Sequence, residues 1–475
     1  MSEADKTVGA DASKPDKLWS VIREALRGSS RDFTTAPIGI SLFILAVPMI
    51  VEMLAESLFA IVDIFFVAHL GAEAVAVVGL TESIMALVYA VAFGLAIGAT
   101  ATVARRIGEG DPDGSANSAT HVIYLGVIVS LVMSVLGITL APTLLRVLGA
   151  EPRVVEMGVP FMRIMLGGNA VVVFLFILNA IFRGAGDAAI SMRVLWLANG
   201  LNMILSPCLI FGVWFFPQLG VKGAAIGTTI GRGCGVLFAF WSLFKGEKRF
   251  EIHARNWHLD LKRLWTLAKL SSTAVLQFLV STASWSALVR VVAGFGSEAI
   301  AGYIIAMRVV IFVLLPSLGL SSAAATMVGQ NLGAGKPERS EAAVWKAAFT
   351  NTAIYFILGL VLLLGAGVIV SLFTTEPHVL AYAESALHII SFGFLFYGFG
   401  MVTETAFNGA GDTWTPTYLN FFIFWLFEIP LAYVLAYYFE MGPAGVFWAI
   451  TIAFSMLAVV GALLFKRGKW KLKTV

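Results

Sequence analysis

The sequence predicts an all-α integral membrane protein with twelve transmembrane helices in two pseudo-symmetric six-helix lobes. Three observations carry that expectation: too little charge to cover a soluble fold, twelve apolar stretches of spanning length, and an internal repeat that divides them six and six. Of 475 residues, 59% are hydrophobic and 13% charged, where a soluble domain is nearer half apolar and about a quarter charged. Mean hydropathy is +0.88. This composition excludes a disordered, collagen-like or disulfide-framed chain, and a net charge of +3 is too small for a nucleic-acid-binding protein. Cys208 and Cys234 both lie in apolar runs and read as small packing residues.

The first 37 residues are polar and lack the short apolar core and cleavage site of a signal peptide. They are expected to form a cytoplasmic tail with a short interfacial helix around Trp19–Arg27. Stretches able to cross roughly 30 Å of hydrocarbon follow near 41–67, 75–103, 119–142, 157–182, 190–216 and 221–244. A basic linker over 245–263, with Trp257 interleaved, is expected to be a solvated or interfacial connector without a partner. The second set of spans falls near 265–290, 298–327, 342–372, 379–407, 415–439 and 443–465, and residues 466–475 form a C-terminal tail. The lobes are thus expected over 38–244 and 264–465.

Positively charged loops resist translocation, whereas acidic residues count for little. Twenty-five of the 32 Lys and Arg residues share the side of the N-terminus, including Arg105, Arg106, Arg183, Arg193 and five from Lys466 to Lys473. Opposite loops hold Arg146, Arg153, Lys222 and Arg290, and Arg163, Arg232 and Arg308 lie inside spans. Both termini are therefore expected in the cytoplasm of a multi-pass protein of the cell (inner or plasma) membrane.

The chain matches itself at an offset of 225. Gly71-Ala-Glu73 lies on Gly296-Ser-Glu298, Glu151-Pro152 on Glu376-Pro377, and Phe182-Arg-Gly-Ala-Gly-Asp187 on Phe407-Asn-Gly-Ala-Gly-Asp412. With six spans per repeat, both halves have one topology, and the interface between them is where alternating access operates. The glycine-rich turns are not phosphate sites. Gly333-Ala-Gly335-Lys336 is followed by Pro337 instead of Ser or Thr, and Gly184-Ala-Gly186 follows a helical span instead of a strand. In each paired turn, glycine is expected to end one helix and Asp187 or Asp412 to cap the next.

A carboxylate at mid-bilayer is disfavoured by about 2.5–3.5 kcal/mol, so such residues face a cavity and act on ions or substrate. Six lie within spans: Glu52, Glu56, Asp63, Glu82, Glu404 and Glu428. At ~100° per residue, Glu56 and Asp63 point within about 40° of Glu52, forming one acidic stripe. Glu52 and Asp63 also admit a plainer reading as solvated groups near the span ends. The repeat-equivalent positions hold Gln277, Ser281 and Leu288, which argues for a proton or Na⁺ site confined to the first half. Arg308 stands one position from the equivalent of Glu82. Six acids against three span arginines predict an acid-biased cavity suited to cationic or zwitterionic cargo.

These residues resemble the multidrug and toxic compound extrusion family over essentially all of 38–465. The resemblance rests on Val62-Asp63 before Leu70-Gly71, Ala104-Arg-Arg-Ile-Gly108 after span two, Val328-Gly-Gln-Asn-Leu-Gly-Ala-Gly335 after span eight, and the paired Gly-Ala-Gly-Asp turns. It implies a V-shaped pair of lobes exporting organic cations in exchange for H⁺ or Na⁺, with no other cofactor. It further implies a cation-coupling site of Asp63, Asn202 and Thr228, with Pro48 bending the first span. The family aspartate of the fifth span is here Ser206, and Glu52 or Glu56 stands ready to supply the missing charge. Glu82, Arg308, Glu404 and Gln277 are expected along the substrate cavity.

The function expected is therefore secondary active efflux of cationic or amphipathic small molecules by a monomer in the lipid bilayer. Two alternatives stand beside it. A lipid-linked oligosaccharide flippase would need several cavity Lys or Arg for a pyrophosphate. A membrane-embedded transferase would need an acidic catalytic residue and an extended loop on one side.

Overall fold

The computed structural model describes residues 14–245 and 252–474. Among the described residues twelve helical segments are long and apolar enough to cross a membrane, each within a few residues of its expected place. After α1 (Lys14–Arg27), the first lobe contains α2 (Ile38–Ala68), α3 (Ala72–Gly108), α4 (Pro112–Val147), α5 (Pro152–Gly167), α6 (Asn169–Ala185), α7 (Ala188–Phe211) and α8 (Val221–Lys245). The second contains α9 (Leu261–Val292), α10 (Ser297–Gly333), α11 (Pro337–Ser371), α12 (Pro377–Gly409), α13 (Trp414–Tyr438) and α14 (Pro443–Lys466). Cys208 and Cys234 are free thiols.

Two spans depart from simple helices. The fourth is broken at Gly168 into α5 and α6, and there the Asn169 carboxamide donates to the Leu166 carbonyl at 2.6 Å and to Ser134 Oγ at 2.9 Å. It binds the broken end, where backbone pairing lapses, within the buried core. The eleventh span, α13, has π-helical stretches at Phe421–Glu428 and Val434–Tyr438 on either side of Pro430, a local widening of the helix that re-aims its side chains.

The lobes join from mid-membrane to the side that bears the termini. At mid-membrane Gly319 of α10 lies on the backbone of α2 at Ile50, and the ring of Phe93 stacks on Phe278 at 5.1 Å. At the terminus side the ends of α3 and α10 touch through glycine: a side chain on Gly108 would overlap the Gln330 carbonyl, and one on Gly333 the Arg105 carbonyl. A buried cluster including Met49, Leu320, Met327 and Phe407 crosses between the lobes here. Toward the opposite side Glu82 of α3 and Arg308 of α10 are exposed, so the molecule is shut on the terminus side and cleft on the other.

The paired glycine turns follow expectation in part. Gly186 and Gly411 are left-handed, at φ +85° and +82°. Asp187 occupies the N-cap of α7 without a side-chain bond to its amides, and the N-cap of α13 is Thr413. Asp412 instead accepts from Thr415 at 2.7 Å and pairs with Lys473 at 3.1 Å, so neither aspartate caps its helix through a side-chain bond to the backbone.

The basic linker is docked. Its 246–251 portion lies outside the described residues, but Arg255 pairs with Asp113 at 2.7 Å, Thr120 donates to the Asn256 carbonyl, and Tyr124 donates to the Trp257 carbonyl. The connector is thus fixed to the start of α4. The expected helix at Trp19–Arg27 lies within α1, where Trp19 is exposed. Beyond it Glu24 accepts from Arg31 Nε at 2.7 Å and Nη2 at 2.8 Å and from Ser29 at 2.6 Å. The Arg31 guanidinium holds the Glu24 carboxyl below its ordinary 4.5. A lowered folded-state value stabilises the fold above the ordinary value, and that contribution fades as pH falls through it. Acidification below about 4.5 should therefore lower the amide protection factors over residues 21–31, read by hydrogen–deuterium exchange against the acid-slowed intrinsic rates.

Candidate functional site

Between the lobes lies a cavity of about 250 Å³, walled by α2, α3, α6, α7 and α8 on one side and α10 and α12 on the other. Its apolar wall includes Phe93, Phe176, Leu315 and Leu318. Its polar wall is built from two ion pairs. Arg183 Nη1 meets Glu52 Oε1 at 2.8 Å, and Arg232 Nη2 meets Glu56 Oε1 at 3.4 Å. Glu52 is 1% exposed and its second oxygen has no hydrogen-bond partner. Glu56 also accepts from Asn199 Nδ2 at 3.0 Å. Asn179 and Asn408 line the cavity with buried, unpartnered Oδ1 atoms.

Arg232 is the hub of the first lobe. It is 4% exposed, donates to the Tyr89 hydroxyl at 2.9 Å, and lies over the rings of Phe59 and Tyr89. It is within electrostatic reach of Glu56, Asp63 and Glu82, and Asp63 and Glu82 act on one another as like charges. Of these acids Glu56 is the one that pairs with it directly, while Asp63 Oδ1 is buried without a hydrogen-bond partner and Glu82 is exposed.

The helix α2 presents all three acids of the expected stripe to this lobe, and it continues unbroken past Pro48, whose missing N–H leaves a carbonyl one turn back without its helical donor. The first and fifth spans run parallel, tied at Glu56–Asn199 and again where Phe66 meets Phe211 at 6.4 Å. Asp63 falls between these ties at the level of Ser206. Ser206 donates to Asn202 Oδ1 at 3.0 Å, and the two pack against Gly227 and Gly231 of α8 beside buried Thr228. Asn202, Ser206 and Thr228 thus gather at the α7–α8 contact. Asp63 Oδ1 is buried with no hydrogen-bond partner, so the trio does not hold it.

The four residues expected along the substrate cavity lie elsewhere. Glu82 and Arg308 are both exposed toward the open side. Gln277 donates to Glu404 at 2.8 Å, and Asn420 donates to the same oxygen at 2.9 Å and to Ser281 at 2.9 Å, making a neutral-donor cluster inside the second lobe. The expected acid excess also needs correction at the cavity itself, where Arg183 and Arg232 balance Glu52 and Glu56. Arg163 is exposed and donates to the Ile138 carbonyl instead of pairing with an acid. Sequence reasoning missed Tyr89, Asn199 and, above all, Arg183, which it placed in a loop. The repeat held a signal for that last residue: its equivalent, Asn408, also lines the cavity.

Two six-span lobes around a shared cavity, shut on one side and cleft on the other, have the architecture of a membrane transporter. The family model described as MatE matches residues 48–208 and 273–434, segments that begin 225 positions apart, the offset of the internal repeat. The chain belongs to the MatE family, a family of transporters and not of enzymes. It is 27% identical to a probable multidrug resistance protein NorM of Thermotoga maritima, covering 91% of this chain and 93% of that one. It is 26% identical to an FAD transporter of Shewanella oneidensis, covering 91% and 95%. A solved structure described as the outward-facing conformation of a multidrug resistance MATE family transporter superposes with a TM-score of 0.87 at 28% identity, covering 93% and 98%.

Proposed function

We propose that this protein exports cationic or amphipathic small molecules from the cell in exchange for H⁺ or Na⁺, as a monomer in the plasma membrane with both termini in the cytoplasm. On that orientation the conformation described is outward-open. The observation that carries the reading is the buried Asp63 oxygen without a hydrogen-bond partner, in the same lobe as the Glu56–Arg232 pair. Unpaired negative charge in a low-dielectric setting favours uptake of a cation. Asp63, whose buried oxygen has no partner, is the coupling residue, and Asn202, Ser206 and Thr228 stand near its level. Ion binding from outside neutralises Asp63, α2 bends at Pro48, and the cavity contracts and expels cargo. Release of the ion inward restores the acids.

The test is uptake of a fluorescent cation into inverted vesicles under imposed pH and Na⁺ gradients in turn. Asp63→Asn should lower gradient-driven transport at least about tenfold while the purified variant keeps its melting temperature, and Glu56→Gln should weaken it less. Unchanged transport and ion dependence in Asp63→Asn would remove the coupling assignment, and no response of the wild type to either gradient would remove the antiporter.

A second reading has its own support. Arg183 and Arg232 border the cavity, and one relative is described as an FAD transporter. Cargo bearing an anionic group beside an aromatic body fits that wall, and competition by FAD in the same vesicles separates the two. Both cavity arginines are already paired with acids, which counts equally against the pyrophosphate of FAD and that of a lipid-linked sugar.

A further inference from the structure

The two terminal segments, which the sequence presents as tails, are built into the contact between the lobes. At the C-terminal end, Gly468 is left-handed at φ +74° and reverses the chain after α14. The short 3₁₀ turn Lys469–Leu472 then buries Trp470 completely. Its ring stacks on Phe465 at 4.5 Å and its Nε1 donates to the Phe465 carbonyl at 2.8 Å. Lys471 pairs with Glu341 at 2.6 Å and Lys473 with Asp412 at 3.1 Å. These contacts fasten the tail to the second lobe. Its hold on the first lobe is Arg105 at the end of α3, 9% exposed, whose Nη2 donates to the Lys473 carbonyl at 2.6 Å and to the Ala410 carbonyl at 3.5 Å.

The N-terminal segment crosses the same seam in the other direction. Arg193 of the first lobe donates to the Leu26 and Arg27 carbonyls at 3.2 and 2.9 Å. From the second lobe, Lys336 donates to the Thr34 carbonyl at 3.0 Å and Arg339 to those of Phe33 and Ala36. Phe33 and Ala25 are buried in the cluster that crosses between lobes. Basic side chains that opposing lobes present are thus spent on backbone carbonyls of the terminal segments, and charge-assisted bonds of this kind are stronger than neutral ones.

We infer that the terminal segments form a clasp across the lobes, with Arg105 the positioning residue through which the C-terminal tail holds the terminus side shut. The docked tail sets the balance between the state open on the cleft side and the state open on the terminus side. A clasp bonded in only one of two states shifts their populations by the free energy of those bonds. Opening on the terminus side requires the Lys473 carbonyl to leave Arg105, so the rate at which the tail lets go limits the return stroke.

The experiment is electron–electron distance measurement in nanodiscs between spin labels at Glu109→Cys and Glu338→Cys, one in each lobe, with Cys208 and Cys234 replaced. Deletion of residues 469–475 should raise the population with separated labels by about tenfold or more, and Arg105→Gln should do the same in a full-length chain. Lys469→Ala, in the exposed part of the tail, should not. A peptide of residues 466–475 added to the deleted protein should return the short distance. An unchanged distance distribution in both the deletion and Arg105→Gln, each eluting as a folded monomer, would overturn the clasp. So would a shift in Lys469→Ala equal to theirs.

Discussion

Arg183→Leu is expected to destabilise the protein by about 3–5 kcal/mol, because it leaves Glu52, 1% exposed, as an uncompensated charge inside the first lobe. The double variant Glu52→Gln with Arg183→Asn should recover most of that loss. The reason lies in the second lobe, where the positions 225 residues on hold Gln277 and Asn408: the same scaffold already accepts the neutral combination. Denaturation in detergent, followed by loss of monodisperse protein with temperature, measures both. Transport should not recover with stability, since the double variant strips the cavity of one acid and one base. A penalty in the double variant equal to the sum of those of Glu52→Gln and Arg183→Asn measured singly would show that the pair is not what stabilises this wall.

The second large effect is expected at the glycine contact. Gly333→Val puts a side chain where the Arg105 carbonyl lies, and backbone cannot move aside as a flexible side chain does. The ends of α3 and α10 would be wedged apart, so the state shut on the terminus side should lose population and turnover should fall at least about tenfold. The distance between labels at positions 109 and 338 should lengthen accordingly. Gly365→Ala in α11 is the control: the nearest group to an added methyl is the Ile369 Cδ1 at 3.6 Å, and transport should be unchanged. Equal effects from the two substitutions would mean that the contact has no special part in closure.

The spans were legible because bilayer insertion reads local apolarity, and the lobes because duplication leaves a fixed offset. The stripe on α2 was legible for a similar reason, since helical geometry alone places Glu52, Glu56 and Asp63 on one face. Their partners were not. Arg183 reads as a loop charge because it stands just before a Gly-Ala-Gly turn, and only the long-range ion pair with Glu52 of α2 shows it turned inward. Tyr89 and Asn199 carry no signature until α3 and α7 are set beside α8. The docking of the termini was hidden too, because it depends on few apolar side chains, Ala25, Phe33 and Trp470, in otherwise polar runs. The break at Gly168 and the π-helical turns of α13 leave hydropathy untouched, so neither disturbs a span read from composition.

The Gln277–Glu404 bond has a consequence for how the two halves diverged. Subtracting the repeat offset, its counterparts in the first lobe are Glu52 and Asn179, both on the cavity wall. Carboxylate and carboxamide thus stand in exchanged places on the two equivalent helix pairs, so each half sets one carboxyl group at this pair of positions. Only the first half sets a guanidinium on that acid, at Arg183, while the second satisfies its acid with amides. Equivalent positions thus keep the pseudo-symmetry of the backbone, while the chemistry they carry has become unequal.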